Sequence, residues 1–161
     1  MPRKITPNLW FDGQAEEAAN FYISVFGDDS RIVSVARYPE DSPGPAGTVM
    51  TVEFELDGQR FVGINGGAQF KFDEAVSFQI DCETQDEVDY FWEKLTEGGE
   101  ESQCGWLKDR FGLSWQVVPR GMGEIFDDAD PERAQRAMQA MLTMKKLDIA
   151  ALRSAADATR S

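Results

Sequence analysis

Residues 76–99 read VSFQIDCETQDEVDYFWEKLTEGG, and this stretch decides the fold more than any other part of the sequence. Apolar and polar residues alternate over 76–82, which predicts a β-strand. Over 85–96 the apolar residues recur three and four positions apart, as on one face of an α-helix. Gly98 and Gly99 follow and predict the end of that helix. The segment therefore predicts a strand, and then a helix that packs on the strand.

The same pattern occurs near the start of the chain, with a predicted strand over 5–11 and a helix over 14–26. A shift of 70 residues aligns the apolar helix residues of the two segments: Ala18 with Val88, Phe21 with Phe91, Tyr22 with Trp92, and Val25 with Leu95. Strands are predicted after each helix, at 31–38, 48–56 and 59–65, and at 106–108 and 114–119. The sequence therefore predicts an α+β fold of two βαβββ modules.

The domain prediction is one domain over 1–130, with modules at about 4–66 and 75–120, and a helical extension over 131–161. The extension has six basic and three acidic residues, whereas 1–130 has 10 basic and 26 acidic residues. Leu147 and Asp148 predict a break and a helix N-cap before a short helix at 149–156. We expect this basic arm to dock on the acidic body or on a second subunit. A frayed terminal helix is the alternative.

Composition excludes several classes of function. The chain of 161 residues has a net charge of −13, which disfavours sequence-independent binding of nucleic acid. It has no histidine, which excludes Ser-His-Asp hydrolysis, Cys-His proteolysis and histidine-based metal chemistry in their ordinary forms. The two cysteines, Cys82 and Cys104, indicate reduced thiols. No membrane segment is predicted, so we expect a cytoplasmic protein.

Strand alternation predicts which side chains lie on the sheet face opposite the helices. In the second module these are Ser77, Gln79 and Asp81 on one strand, and Ser114, Gln116 and Val118 on the other. In the first module we expect Val62 and Ile64 to pack inward, which leaves Phe61, Gly63 and Asn65 on the open face. Amides, hydroxyls and aromatic rings on a concave sheet are typical of a small-molecule site. Glu53 and Glu55 are expected on a solvated face rather than as an acid–base pair.

Several motifs together resemble one family. They are the opening 7–13 (PNLWFDG) with 15–18 (AEEA), the stretch 65–67 (NGG), the run 104–109 (CGWLKD), 111–119 (FGLSWQVVP), and the tail over 138–152. The chain resembles, over nearly its whole length, the PhnB-like branch of the vicinal oxygen chelate superfamily, which includes glyoxalase I, bleomycin-resistance proteins and extradiol dioxygenases. The branch is often catalogued as 3-demethylubiquinone-9 3-methyltransferase.

The resemblance implies paired modules that form an incomplete barrel around a cavity, commonly in a homodimer. It also implies where the metal-dependent members carry their ligands: Pro7, Gly63 or Asn65, Ala75 or Ser77, and Gln116. Of these, only Gln116 is a candidate metal ligand, and one neutral amide does not hold a divalent cation against water. We therefore expect no metal site and no cofactor. The methyltransferase name also lacks support, because Gly66 and Gly67 are followed by a predicted strand, not by the helix of a cofactor-binding turn.

Three functions remain open from the sequence. The first is a metal-independent small-molecule binder whose ligand contacts Trp10, Phe61, Asn65, Ser77, Gln79 and Gln116. The second is an enzyme of unknown substrate, glyoxalase-like, dioxygenase-like or the catalogued methyltransferase, with Cys104 as the candidate catalytic residue. The third is an interaction module that uses the Met-rich tail. We expect the partners to be a small organic ligand and a second copy of the chain, and neither nucleic acid nor a membrane.

Overall fold

The computed structural model describes residues 3–158. The chain divides into two compact units, Met1–Phe72 and Asp73–Ser161. Each unit contains one four-stranded mixed sheet with one long helix packed on it. The predicted α+β fold class and its two βαβββ modules are confirmed.

The first unit has its strands in the order β1-β4-β3-β2. Its elements are β1 (Asn8–Phe11), α1 (Ala15–Phe26), β2 (Arg31–Arg37), β3 (Val49–Leu56) and β4 (Gln59–Asn65). β1 and β4 pair in parallel, and the other pairs are antiparallel. The core lies between α1 and the sheet, where the fully buried Phe54 stacks between Tyr22 and Phe61.

The second unit repeats this topology in the order β5-β8-β7-β6. Its module contains β5 (Ser77–Cys82), α2 (Gln85–Thr96), β6 (Glu100–Glu101), β7 (Trp106–Lys108) and β8 (Ser114–Pro119). β5 and β8 pair in parallel. The Thr84 side chain caps α2 by accepting from the Glu87 amide. The two-residue strand β6 has no alternating pattern, and the sequence did not predict it.

Three helices complete the second unit: α3 (Met122–Phe126), α4 (Pro131–Met141) and α5 (Ile149–Asp157). The short α3 was not predicted. The predicted helices and the Asp148 N-cap are confirmed, with the Asp148 carboxylate accepting from the Ala151 amide. These helices share a small apolar core around Ile125, Ala137 and Leu152.

The segment between α4 and α5 docks on the second module, which agrees with the expectation that the arm packs on the body of the protein. Gln85 at the start of α2 donates to the Leu147 carbonyl at 2.9 Å and accepts from the Ile149 amide at 3.0 Å. Lys146 forms an ion pair with Asp89 on α2 at 2.8 Å. Leu147 is 2% exposed and fills the space beside Gly105. The basic arm is therefore part of the second unit's fold.

The prediction for the two faces of β4 is wrong. Phe61 stacks on Phe54 in the helix-side core, and a side-chain carbon at Gly63 would lie 3.1 Å from Ala15 of α1. Val62 and Ile64 are half-buried on the opposite face. Because Phe61, Val62 and Ile64 are all apolar, hydrophobicity alone could not choose between the faces. Because Gly63 has no side chain, α1 can approach β4 closely, and this close approach determines which face of β4 lies against the helix.

Within residues 3–158, no helix is both long enough and apolar enough to cross a membrane.

A matched pair of leucines tests whether the arm contributes to stability. Leu147→Ala removes a side chain that is 2% exposed, so we expect the free energy of unfolding to fall by about 2–5 kcal/mol. Leu142→Ala in the same arm removes a side chain that is 60% exposed and should change it by less than about 0.5 kcal/mol. Urea denaturation measures both. Equal effects of the two substitutions would contradict docking of the arm.

Candidate functional site

The clearest group of polar side chains lies on the second unit's sheet, on the face opposite α2. Ser77 pairs with Ser114 and Gln79 with Gln116 across the parallel strands β5 and β8. On the other side of β8, Trp106 pairs with Gln116 and Lys108 with Ser114. Paired residues point to the same face of a sheet. We call these six residues the polar face: Ser77, Gln79, Trp106, Lys108, Ser114 and Gln116.

The opposite face of the same strands is apolar, as predicted. Ile80, Cys82, Trp115 and Val117 are buried there. Phe78 packs on Trp115, with ring centroids 5.7 Å apart. The sequence-predicted residues Ser77, Gln79 and Gln116 therefore share one face, as strand alternation required.

Hydrogen bonds hold the polar face in one arrangement. Gln116 Nε2 donates to Ser77 Oγ at 2.9 Å, which fixes the amide across the two strands. Gln79 Nε2 donates to Asp81 Oδ1 at 2.7 Å, so this amide is held along its own strand. Since Ser77 accepts one bond, its own hydroxyl proton stays available to an acceptor on a ligand.

Ser114 is the unusual member of the polar face. It is 1% exposed, and in the described part of the chain its hydroxyl is the only buried side-chain polar atom without a hydrogen-bond partner. An unsatisfied buried hydroxyl costs about 1–3 kcal/mol. The sequence analysis placed Ser114 on this face but did not select it as a site residue.

Lys108, the Cα partner of Ser114, forms an ion pair. Lys108 Nζ is bonded to a carboxylate oxygen of Glu74, in the segment before β5. The hydrogen bond with Lys108 lowers the pKa of Glu74, and the same bond raises the pKa of Lys108. Both groups are therefore charged at neutral pH. No sequence pattern linked Glu74 to Lys108, because their contact depends on the pairing of β8 with its neighbours.

A buried carboxylate positions the turn that leads into β8. Asp109 is 3% exposed; its Oδ1 accepts from the Phe111 and Leu113 amides at 2.8 and 3.1 Å, and its Oδ2 from Trp115 Nε1 at 2.9 Å. The turn therefore fixes where β8 begins and which of its residues reach the polar face. The spacing of Asp109 and Gly112 is a turn signal that the sequence analysis did not use.

In the first unit, Trp10 lies on the face opposite α1, as expected, but loop residues cover its ring. Its Nε1 donates to the Gly67 carbonyl at 2.9 Å, and Phe70 packs edge-on at 4.9 Å. A side-chain carbon at Gly66 would lie 2.1 Å from the Trp10 ring, so glycine is required there. The Gly66-Gly67 pair is thus explained by packing on Trp10, and β5, not a helix, follows it.

Phe61 and Asn65 do not lie on the open face, which corrects the prediction for both. Phe61 is a core residue, as described above. Asn65 ties β4 to neighbouring elements: its Oδ1 accepts from the Ala15 amide at the start of α1 at 2.9 Å, and its Nδ2 donates to the Val49 carbonyl at 3.0 Å. The Asn65 amide therefore has a structural role at the N-terminus of α1.

A groove of about 760 Å³ lies beside this helix N-terminus. Tyr38 forms part of its wall and donates its hydroxyl to the Asn65 carbonyl at 2.5 Å. Glu16 and Glu17, in the first turn of α1, also line it. Acidic residues are favourable at that position of any helix, so their presence there does not by itself indicate a ligand.

Glu53 and Glu55 lie on the solvated face of the first sheet, and each carries an arginine partner. Glu53 pairs with Arg60 at 3.1 Å and Glu55 with Arg31 at 3.3 Å. Ser34 also donates to Glu53 at 3.1 Å. Each carboxylate therefore has its own arginine partner. This supports the interpretation of Glu53 and Glu55 as residues of a solvated face rather than as an acid–base pair.

The residues at the implied metal positions are mostly engaged in other contacts. The Pro7 carbonyl accepts from the Val62 amide, Gly63 has no side chain, and Asn65 is committed to the backbone. Ser77 and Gln116 are neutral and bonded to each other. Across residues 3–158, no group of three or more His, Cys, Asp or Glu side chains is arranged to hold a metal.

The two thiols differ in environment. Cys82 is fully buried under α2, and burial raises its pKa to about 12, with Glu87 and Asp81 adding to the effect. Cys104 is half-buried, with a left-handed backbone (φ 58°). Its Sγ donates to the Met141 carbonyl at 3.5 Å and its amide to the Met144 carbonyl at 2.9 Å. These contacts give Cys104 a role in holding the arm.

Comparisons with known proteins agree on one family. The profile of the family described as 3-demethylubiquinone-9 3-methyltransferase matches residues 3–118. The chain is 42% identical to the PhnB protein from Bacillus cereus, described by the same methyltransferase name, over 73% of this chain and 99% of that one, with a TM-score of 0.66. A comparison with curated proteins finds no match.

More distant structures share the fold alone. A protein from Pseudomonas aeruginosa is 22% identical, with a TM-score of 0.58 over 73% of this chain and 98% of that one. The fosfomycin resistance protein FosX from Listeria monocytogenes is 14% identical, with a TM-score of 0.54 over 80% of this chain and 99% of that one.

Thiol alkylation tests the environments of the two cysteines. In the native protein at pH 8, we expect no reaction of iodoacetamide at Cys82, because the thiol is buried and its pKa is about 12. In guanidinium chloride both cysteines should react. Peptide mass spectrometry after alkylation identifies the labelled residue. Labelling of native Cys82 at the rate of a free thiol would contradict the buried position.

Proposed function

The chain belongs to the PhnB-like family described as 3-demethylubiquinone-9 3-methyltransferase, within the vicinal oxygen chelate superfamily, and from this premise we propose that it is a metal-independent small-molecule-binding protein. The observation that supports this proposal most is the Ser114 hydroxyl, which lies on the polar face without a partner. A ligand acceptor that reaches this hydroxyl would give it the hydrogen-bond partner that it lacks within the chain.

The chemistry of the polar face supports an organic ligand. Ser77 and Ser114 offer hydroxyl protons, the amide of Gln116 is held in place, and Trp106 supplies aromatic area. Binding sites combine apolar surface with a few fixed polar groups in this way. The same residues offer no carboxylate, thiolate or imidazole in a set that suits a divalent cation.

The methyl transfer in the family's name gains no support from the residues. A doubly wound methyltransferase places a glycine-rich turn between a strand and a helix, so that the backbone approaches its cofactor. In this chain Gly66 and Gly67 follow β4, pack against Trp10 and Gln69, and lead to β5. An enzyme acting through Cys104 is also disfavoured, because this thiol donates a hydrogen bond to the Met141 carbonyl in the arm.

Native mass spectrometry of protein purified without added metal or chelator tests the proposal and also measures the oligomeric state. The homodimer implied by the resemblance stays a prediction until that mass is known. An organic adduct in stoichiometric amount would support the proposal. A divalent ion in stoichiometric amount, without an organic adduct, would overturn it.

Amide chemical shifts provide the second test, with benzamide, benzoate and benzylamine as probes. We expect at least one probe to shift the Ser77, Gln79 and Gln116 resonances saturably. Gln116→Ala should weaken that binding by about three- to tenfold, since one hydrogen-bonding group is lost. Gln139→Ala, at an exposed position of α4, is the matched control and should have no effect. Saturable binding that is unchanged by Gln116→Ala would place the site elsewhere.

A further inference from the structure

The Ser114 hydroxyl and the Lys108 side chain lie side by side on the second sheet. They are Cα partners on β8 and β7, so both side chains project from the same face. Ser77 is the partner of Ser114 on the other flank, on β5. One cation and two hydroxyls therefore lie in a row across three neighbouring strands.

Lys108 forms an ion pair with a residue from the far flank of β8. Lys108 lies on β7, whereas Glu74 precedes β5, on the other side of β8. The side chain of Glu74 is 61% exposed and that of Lys108 is 33% exposed, so the carboxylate lies nearer to solvent.

The contact of Glu74 with Lys108 shows that a carboxylate can bind at this lysine. Its carboxylate takes the hydrogen bond of Lys108, while the adjacent Ser114 hydroxyl has no acceptor. A carboxylate has two oxygens, so a ligand carboxylate can accept from the ammonium and from a hydroxyl at once. An exposed ion pair contributes only about 0–1 kcal/mol, so exchanging one carboxylate for another costs little.

We propose, on the basis of the proposed function, that the ligand is a small organic acid whose carboxylate replaces Glu74 at Lys108 and accepts the Ser114 hydroxyl proton. Trp106, two residues before Lys108 on the same face of β7, then offers its ring to an apolar part of the ligand. Glu74 serves as an internal substitute that holds the lysine when no ligand is bound.

The surrounding charges favour a ligand with a single negative charge. Glu100 is the Cα partner of Lys108 on β6, and Asp73 precedes Glu74. Both add to the negative potential at Lys108. One cation with three carboxylates leaves a net negative charge around Lys108, so the second negative charge of a dianion meets repulsion that a monoanion avoids. The inference therefore selects a carboxylate over a phosphate monoester.

Three aromatic probes of similar size separate these possibilities in titrations of the full-length protein followed by amide chemical shifts. Benzoate should bind and shift the Lys108, Ser114 and Trp106 resonances. Benzamide, which is neutral, and phenyl phosphate, which is a dianion, should bind at least about tenfold more weakly, because a charge-assisted bond is lost or like charges are added. Equal or tighter binding of phenyl phosphate would overturn the preference for a carboxylate.

Substitutions then test the assigned residues. Lys108→Gln should weaken benzoate binding by about tenfold, and Lys94→Gln, on exposed α2 surface, should leave it unchanged. Glu74→Gln should tighten binding by about three- to fivefold, since the competing carboxylate is removed. Benzoate affinity that is the same in Lys108→Gln and the wild type would overturn the inference.

Ser114→Ala separates a binding role from a structural one. If the hydroxyl donates to a bound ligand, its removal should weaken benzoate binding. The urea midpoint of the free protein should stay equal or rise, because an unsatisfied buried group is removed. A lower midpoint with unchanged benzoate affinity would assign the hydroxyl to packing and overturn its role in binding.

The outcomes also distinguish this inference from the proposed function. If benzamide or benzylamine binds at the polar face and benzoate does not, the organic-acid inference fails and small-molecule binding stands. If none of the probes binds saturably, the organic-acid inference fails. If the purified protein then also carries a stoichiometric divalent ion, the proposed function fails as well.

Discussion

The parallel pairing of β5 with β8 is the constraint on which the candidate site depends. It brings together residues 77 and 114, which are 37 positions apart, and aligns Gln79 with Gln116. The helix α2 makes this pairing possible, since parallel neighbours need a crossover connection. β7 then adds Lys108 and Trp106 on the other flank of β8. Without this arrangement, the polar-face residues of the three strands would not lie next to one another.

The same topology in the first unit leads to a different surface. There β1 pairs with β4, and the strand partners bring Trp10 beside Ile64. Asn65, which the sequence assigns to the open face, instead ties α1 and β3 to β4. Gly66, Gly67 and Phe70 cover the Trp10 ring. The two modules therefore share one architecture but differ on this face of the sheet. In the first unit the face carries a covered tryptophan ring and ion pairs, whereas in the second it carries polar side chains that include the unpartnered Ser114 hydroxyl.

The arm illustrates how charge and packing act together. The arm has an excess of basic residues, and its Lys146 forms an ion pair with Asp89 of α2. The hydrogen bond from Lys146 lowers the pKa of Asp89, which favours the charged carboxylate. An exposed pair of this kind adds little stability. The buried Leu147 and the two hydrogen bonds of Gln85 hold the arm in place.

The sequence by itself determined the two modules, their helices and the polar character of Ser77, Gln79 and Gln116, because hydrophobic periods of 2 and 3.6 residues are local properties. It could not assign the faces of β4, where Phe61, Val62 and Ile64 are all apolar and the close approach of α1 at Gly63 decides. Nor could it pair Lys108 with Glu74 or place Lys108 beside Ser114, because these neighbours come from different parts of the chain and meet only when the strands are in a fixed register. Only the tertiary structure decided which hydroxyl is buried without a partner, because burial depends on every element packed around it.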